Sequence, residues 1–114
     1  GLVRRGRLHG LPGGSVEVLI PDLKGNEAAL RTIVESKPDI LAHNIDTVER
    51  LVRAVRPGAR YWRSISFLGA VKRLDPTMLT KSAIILGMGE TEDEILQSMM
   101  DLREAAVDIL TLGQ

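Results

Sequence analysis

From Val16 onward the chain repeats one theme: a short apolar run, a polar or glycine-containing turn, then a segment whose apolar residues recur at helical spacing. This alternation constrains the fold more than any other feature, because strands separated by helices pair in parallel through right-handed crossovers. Strands are predicted over 16–20, 39–42, 83–86 and 107–112. The first helix should begin near Glu27 with Asn26 as its cap and Ala28, Leu30, Ile33 and Val34 as its buried stripe. The spacing of Asp46 and Glu49 suggests a capped helix over 46–55, carrying Val48, Leu51, Val52 and Val55 and stopped by Pro57-Gly58. Another helix, capped by Ser64, should carry Phe67, Leu68, Val71 and Leu74. The expected class is α/β, either a doubly wound sheet or an arc of a β/α barrel. Four strands cannot close a barrel, which takes about 250 residues for eight units.

The run Thr80 to Glu94 carries most of the chemistry, since a short strand that reads as buried on both faces there passes directly into a helix through a turn containing Gly87 and Gly89. Thr91 and Glu94 have the spacing of a capping box. Glu92, Asp93 and Glu94 then fall in the first helical turn, where the helix dipole favours acids, so their expected role is structural. Glu90 precedes the cap at the carboxyl end of the strand. It is expected either to face a ligand or to stabilise the turn.

Composition narrows the partners. The 114 residues are 44% hydrophobic and 26% charged, enough for one folded domain. Fifteen basic residues balance fifteen acidic ones, and the aromatics are Tyr61, Trp62 and Phe67, so a nucleic-acid footprint is not expected. No apolar run approaches the roughly 20 residues of a membrane span, and a soluble, intracellular protein is expected. The sequence has no cysteine, hence no disulfide, thiolate nucleophile or thiolate-held cluster within it. Residues 1–15 hold Arg4, Arg5 and Arg7 without an acid, end in a glycine-rich run, and read as a tail or linker that need not be native.

In a parallel sheet the carboxyl ends of the strands share one edge, and this edge should receive Asp22, His43, Asn44, Glu90, Thr111 and Gln114. Arg63 joins them by a length argument: a helix over 46–55 descends roughly 14 Å, and an extended return to Arg63 climbs about 20 Å. Arg63 could instead be an ordinary surface or ion-pairing arginine. One histidine without a second nearby makes a poor metal site, which favours a structural His43. Asn44 could donate to and accept from a ribose hydroxyl. No Ser/His/Asp nucleophile set and no phosphate-binding loop can be assembled.

Several strings, in order and at suitable spacing, resemble lipoyl synthase: Val16-Glu17-Val18-Leu19-Ile20-Pro21-Asp22-Leu23, Ala42-His43-Asn44-Ile45-Asp46-Thr47-Val48, Arg63-Ser64-Ile65, Thr80-Lys81-Ser82, Leu86-Gly87-Met88-Gly89-Glu90-Thr91 and Asp108-Ile109-Leu110-Thr111-Leu112-Gly113-Gln114. The resemblance covers 16–114. It implies the second half of a partial β/α barrel of the radical S-adenosylmethionine type, in a sulfurtransferase that inserts two sulfur atoms into octanoyl groups on lipoyl carrier protein domains. Such an enzyme uses S-adenosylmethionine and two [4Fe–4S] clusters, neither of them ligated by this chain.

By position, Asn44, Asp46 and Arg63 match polar residues of the S-adenosylmethionine site. Ala83 to Glu90 match the adenine-side motif G-x-I-x-G-x-x-E, which brings in Ile85, Gly87 and Glu90, and Gln114 closes the set. Ala83 replaces the motif's first glycine, and Asp46 replaces a longer glutamate. The cysteine motifs of the family are missing, so the expected reading is a fragment unable to catalyse the reaction alone, with no catalytic or metal-binding residue of its own. The resemblance implies a cytoplasmic location, or a mitochondrial or plastid one in a eukaryote. A cut barrel should self-associate through uncovered apolar surface. The alternatives are a non-catalytic α/β binding module and a fragment of another radical enzyme such as biotin synthase.

Overall fold

Local capping chemistry places two of the helices where the sequence predicts them. In the computed structural model, which describes residues 15–114, the Asn26 side chain accepts from the Ala29 N–H at 3.0 Å and starts α1, Glu27–Glu35. Thr91 starts α4, Glu92–Glu104, through a complete capping box with Glu94. Between them lie α2, Val52–Val55, and α3, Tyr61–Leu74. The strands are β1, Glu17–Leu19; β2, Ile40–Ala42; β3, Leu79–Ile85; and β4, Ile109–Gly113. The expectation of a tail concerned residues 1–15, of which 1–14 lie outside the described residues.

The strands form one parallel sheet in the order β1-β2-β3-β4, so each strand pairs with its predecessor. Right-handed crossovers joining successive neighbours put their helices on the same face of a sheet. Burial agrees with this. Along β3, Thr80, Ser82 and Ile84 are buried, whereas Leu79 and Ile85 are exposed and Lys81 and Ala83 are intermediate. Val18, Leu41 and Ile84 from the covered face pack in one core with Leu30 and Val34 of α1, Phe67, Leu68 and Val71 of α3, and Leu102 of α4. Each such side chain contributes about 1.5–3 kcal/mol by leaving water. The other face carries exposed Leu19, Leu79 and Ile85, and an ion pair from Lys81 Nζ to Glu17 Oε1 at 3.2 Å.

Three expectations need correction. The third strand starts at Leu79 rather than 83, because its polar residues have partners across the fold: the Ser82 hydroxyl accepts from the Ile45 N–H at 3.1 Å, and the Thr80 N–H donates to Asp108 at 2.8 Å. The sequence therefore alternates along one covered and one open face instead of reading as a run buried on both. Second, Asp46 caps no helix. It has φ 72°, its N–H donates to Ala83 O at 3.1 Å, and its carbonyl accepts from the Ile85 N–H at 2.7 Å. Only a 3-10 turn, Glu49–Leu51, followed by the four residues of α2, remains of the expected helix. Third, α3 starts at Tyr61, three residues before Ser64, whose hydroxyl is engaged by His43.

Candidate functional site

The carboxyl edge of the sheet is tied together by backbone bonds. Asp46 forms a parallel bridge with Ile84, and the Leu86 N–H donates to Gly113 O at 2.6 Å, joining the ends of β3 and β4. This brings Asp46, Ile85, Gly87 and Gln114 to one rim. Gly87 and Gly89 adopt φ 90° and 107°, and a Cβ built on either would meet nothing within 4 Å. Glycine is needed there for backbone conformation, not for space.

Glu90 organises that turn. Its carboxylate accepts the Gly87 and Met88 N–H groups, each at 3.0 Å, and these bonds hold its pKa below the ordinary carboxylate value. Glu94 is held more firmly still. The Arg50 guanidinium donates to both of its oxygens, at 2.8 and 3.0 Å, and Glu94 also accepts from the Thr91 N–H at 2.9 Å. Arg50, then the Thr91 N–H, draw its carboxyl down to about 2. A third bond runs from Arg50 to Gly89 O at 3.0 Å. No short-range pattern marks Arg50 for this role, since its partners lie 39 and 44 residues away.

His43 points into the helix layer. Its Nδ1 lies 2.9 Å from Ile20 O and its Nε2 2.8 Å from Ser64 Oγ. A carbonyl can only accept, so Nδ1 carries the proton and Nε2 accepts from the Ser64 hydroxyl. Burial pushes the pKa of this histidine down, against the raising effect of the Ile20 carbonyl. His43 thus has the bonding of a structural residue. Its neighbour Asn44 is half-buried. The Thr47 hydroxyl, fully buried, has no hydrogen-bond partner among the described residues.

Asp46 and Arg63, both expected at the site, have protein partners. Asp46 Oδ2 lies 3.0 Å from Arg56 Nη1. Arg63 forms a short ion pair with Asp22, which also accepts from the Lys24 N–H at 2.9 Å. Burial raises the Asp22 pKa, but the Lys24 N–H and Arg63 outweigh it and the net shift is downward. Arg63 reaches the sheet edge, though by a shorter route than the length argument supposed. The chain does not descend and return: Arg56 still touches Asp46, and Arg63 lies in the first turn of α3. It lines a groove of about 490 Å³ between α1 and α3, with Leu30, Phe67 and Leu74, away from Ile85 and Gly87.

Ile85 is 39% exposed, and Thr111 on β4 and Gln114 just beyond its end are exposed as well. The open rim therefore offers an apolar side chain, the amides of Asn44 and Gln114, and a glycine turn. Among the described residues no group of three or more His, Asp or Glu could hold a metal ion. No helix among them is long and apolar enough to cross a membrane.

No family model matches the chain. It is 55% identical over 107 residues to the lipoyl synthase of Caldanaerobacter subterraneus subsp. tengcongensis, a match covering 94% of this chain and 38% of that protein. It is 54% identical over 104 residues to the lipoyl synthase of Rubrobacter xylanophilus, covering 91% and 32%. For the lipoyl synthase of Koribacter versatilis the figures are 50% over 103 residues, 90% and 34%. The chain thus spans about a third of the length of the curated relatives it matches. Residues 16–114 number 99, so a match of 107 residues also reaches into the segment before Val16.

Proposed function

We propose that this chain is part of a lipoyl synthase, and that the carboxyl edge and open face of its sheet form part of the S-adenosylmethionine site of that radical sulfurtransferase. One observation carries the reading: a match at half identity or better runs along nine tenths of the chain. The rim is consistent with it. Ile85 offers apolar contact to an adenine ring, the Asn44 amide can bond a ribose hydroxyl, and Gly87 lets the ligand approach the backbone. Gln114 supplies a further amide at the same rim. Asp46, Arg63 and Glu90 take part indirectly, because their charges are already engaged by Arg56, by Asp22 and by the turn.

The sequential parallel order, with helices on one face and apolar strand residues open on the other, supports an arc of a β/α barrel over 16–114. In such chemistry S-adenosylmethionine would be the source of the hydrogen-abstracting fragment, and an iron–sulfur cluster held elsewhere would supply the electron. The residues present do not fit such a cluster, since the sequence holds no cysteine. What this segment does is bind and orient. The whole protein would insert two sulfur atoms into octanoyl groups on lipoyl carrier domains. On its own the segment would lack this activity, and its exposed Leu19, Leu79 and Leu112 would favour self-association. The relatives named above are all lipoyl synthases, which does not favour a separate binding module or a biotin synthase.

The test is a chimera in which this segment replaces the matching third of the Caldanaerobacter enzyme. Lipoyl formation on an octanoylated carrier, within about tenfold of the parent rate, is the expected result. A chimera that folds, carries its clusters and cleaves S-adenosylmethionine without forming lipoyl groups would overturn the assignment.

A further inference from the structure

Arg50 lies in the 3-10 turn that follows β2, yet all its side-chain bonds reach across to the segment after β3. It grips both oxygens of Glu94 and, with the same guanidinium, the Gly89 carbonyl. Glu94 is at once the reciprocal member of the capping box that starts α4. One arginine thus joins the start of a helix to the glycine turn before it. Glu90 shapes the turn from within through Gly87 and Met88, and Arg50 fixes it from a neighbouring element.

The base of this clamp is itself anchored. Val48 and Val52 on either side are buried at 1% and 3% exposure. The Trp62 indole N–H donates to Glu49 at 2.8 Å, and Arg56 at the end of the same short helical segment bonds Asp46. The segment 49–56 therefore touches both sides of the rim, Asp46 through Arg56 and the glycine turn through Arg50. A planar guanidinium makes all three bonds at once, which an ammonium cannot copy.

We propose that Arg50 is a positioning residue that sets the Gly87–Glu90 turn against the bound nucleoside. This rests on the assignment of that rim to S-adenosylmethionine. In the chimera, Arg50→Ala should raise the KM for S-adenosylmethionine about tenfold. The KM for the octanoylated carrier should stay unchanged. Amide exchange of the 87–91 segment, measured without ligand, should accelerate. Arg50→Lys should recover only part of the affinity. Glu94→Gln keeps the size of the side chain and weakens the bidentate pair, so it should give the same pattern more mildly even if Arg50→Ala does not fold.

Unchanged exchange at 87–91 in both variants would overturn the clamp. So would equal rises in both KM values, which a general loss of structure would give. If the unsubstituted chimera binds S-adenosylmethionine without any protection at this rim, the site assignment falls, whereas ligand-free exchange still judges the clamp by itself.

Discussion

Asp46 Oδ2 and Arg56 Nη1 stand 3.0 Å apart, so an acid at the rim of the sheet is ion-paired within the protein itself. The pair closes the short helical segment onto the end of β2. Asp46 meanwhile holds a left-handed backbone, φ 72°, in order to bridge to Ile84. The two partners should therefore respond differently to removal. Arg56 is 53% exposed on its side chain, and Arg56→Ala should cost no more than about 1 kcal/mol. Asp46→Ala should cost about 1–2 kcal/mol beyond that, because alanine tolerates the left-handed region poorly. Chemical denaturation of the two variants gives the comparison, and equal losses would contradict it.

His43 makes stability depend on pH. Its folded pKa is lowered from 6.5 by burial, so below pH 6.5 the unfolded chain binds a proton that the folded one refuses. The resulting contribution is fully present above pH 6.5 and declines as pH falls from 6.5 toward the folded value. Urea midpoints measured from pH 8 to pH 5 should fall over that interval, and His43→Gln should flatten the change. A wild-type midpoint constant over the interval would show that the ring is not held neutral.

Thr47 presents a buried hydroxyl without a partner among the described residues. Thr47→Val keeps the shape and removes the desolvated group, so it should stabilise the fold by about 1 kcal/mol. Thermal unfolding provides the check. A loss of stability would mean that the hydroxyl is bonded after all.

Legibility in the sequence followed the range of the interactions. Asn26 and the Thr91–Glu94 pair cap helices through bonds spanning three residues, and their spacing displays them directly. Pro57-Gly58 ends its helix for equally local reasons. Ser64 and Asp46 resemble caps by the same rules, but tertiary contacts claim them: His43 reaches Ser64 over 21 residues, and Ile84 holds the Asp46 backbone. The start of β3 was hidden because Lys81 and Ser82 look unlike a buried strand until their partners Glu17 and Ile45 are in place. Connectivity left a doubly wound sheet and a barrel arc both open; the order β1-β2-β3-β4 and the single covered face come from the structure. Arg50 could not be found from the sequence, since nothing near it indicates a bond to Gly89 or Glu94.

The most direct test of the central claim is amide exchange on the active chimera with and without S-adenosylmethionine. The ligand should protect the segments 40–46 and 83–90 at the carboxyl rim of the sheet, and leave the groove between α1 and α3, around Leu30 and Leu74, unchanged. Protection confined to that groove, or absent from the rim at saturating ligand, would contradict the assignment of this sheet edge to the S-adenosylmethionine site.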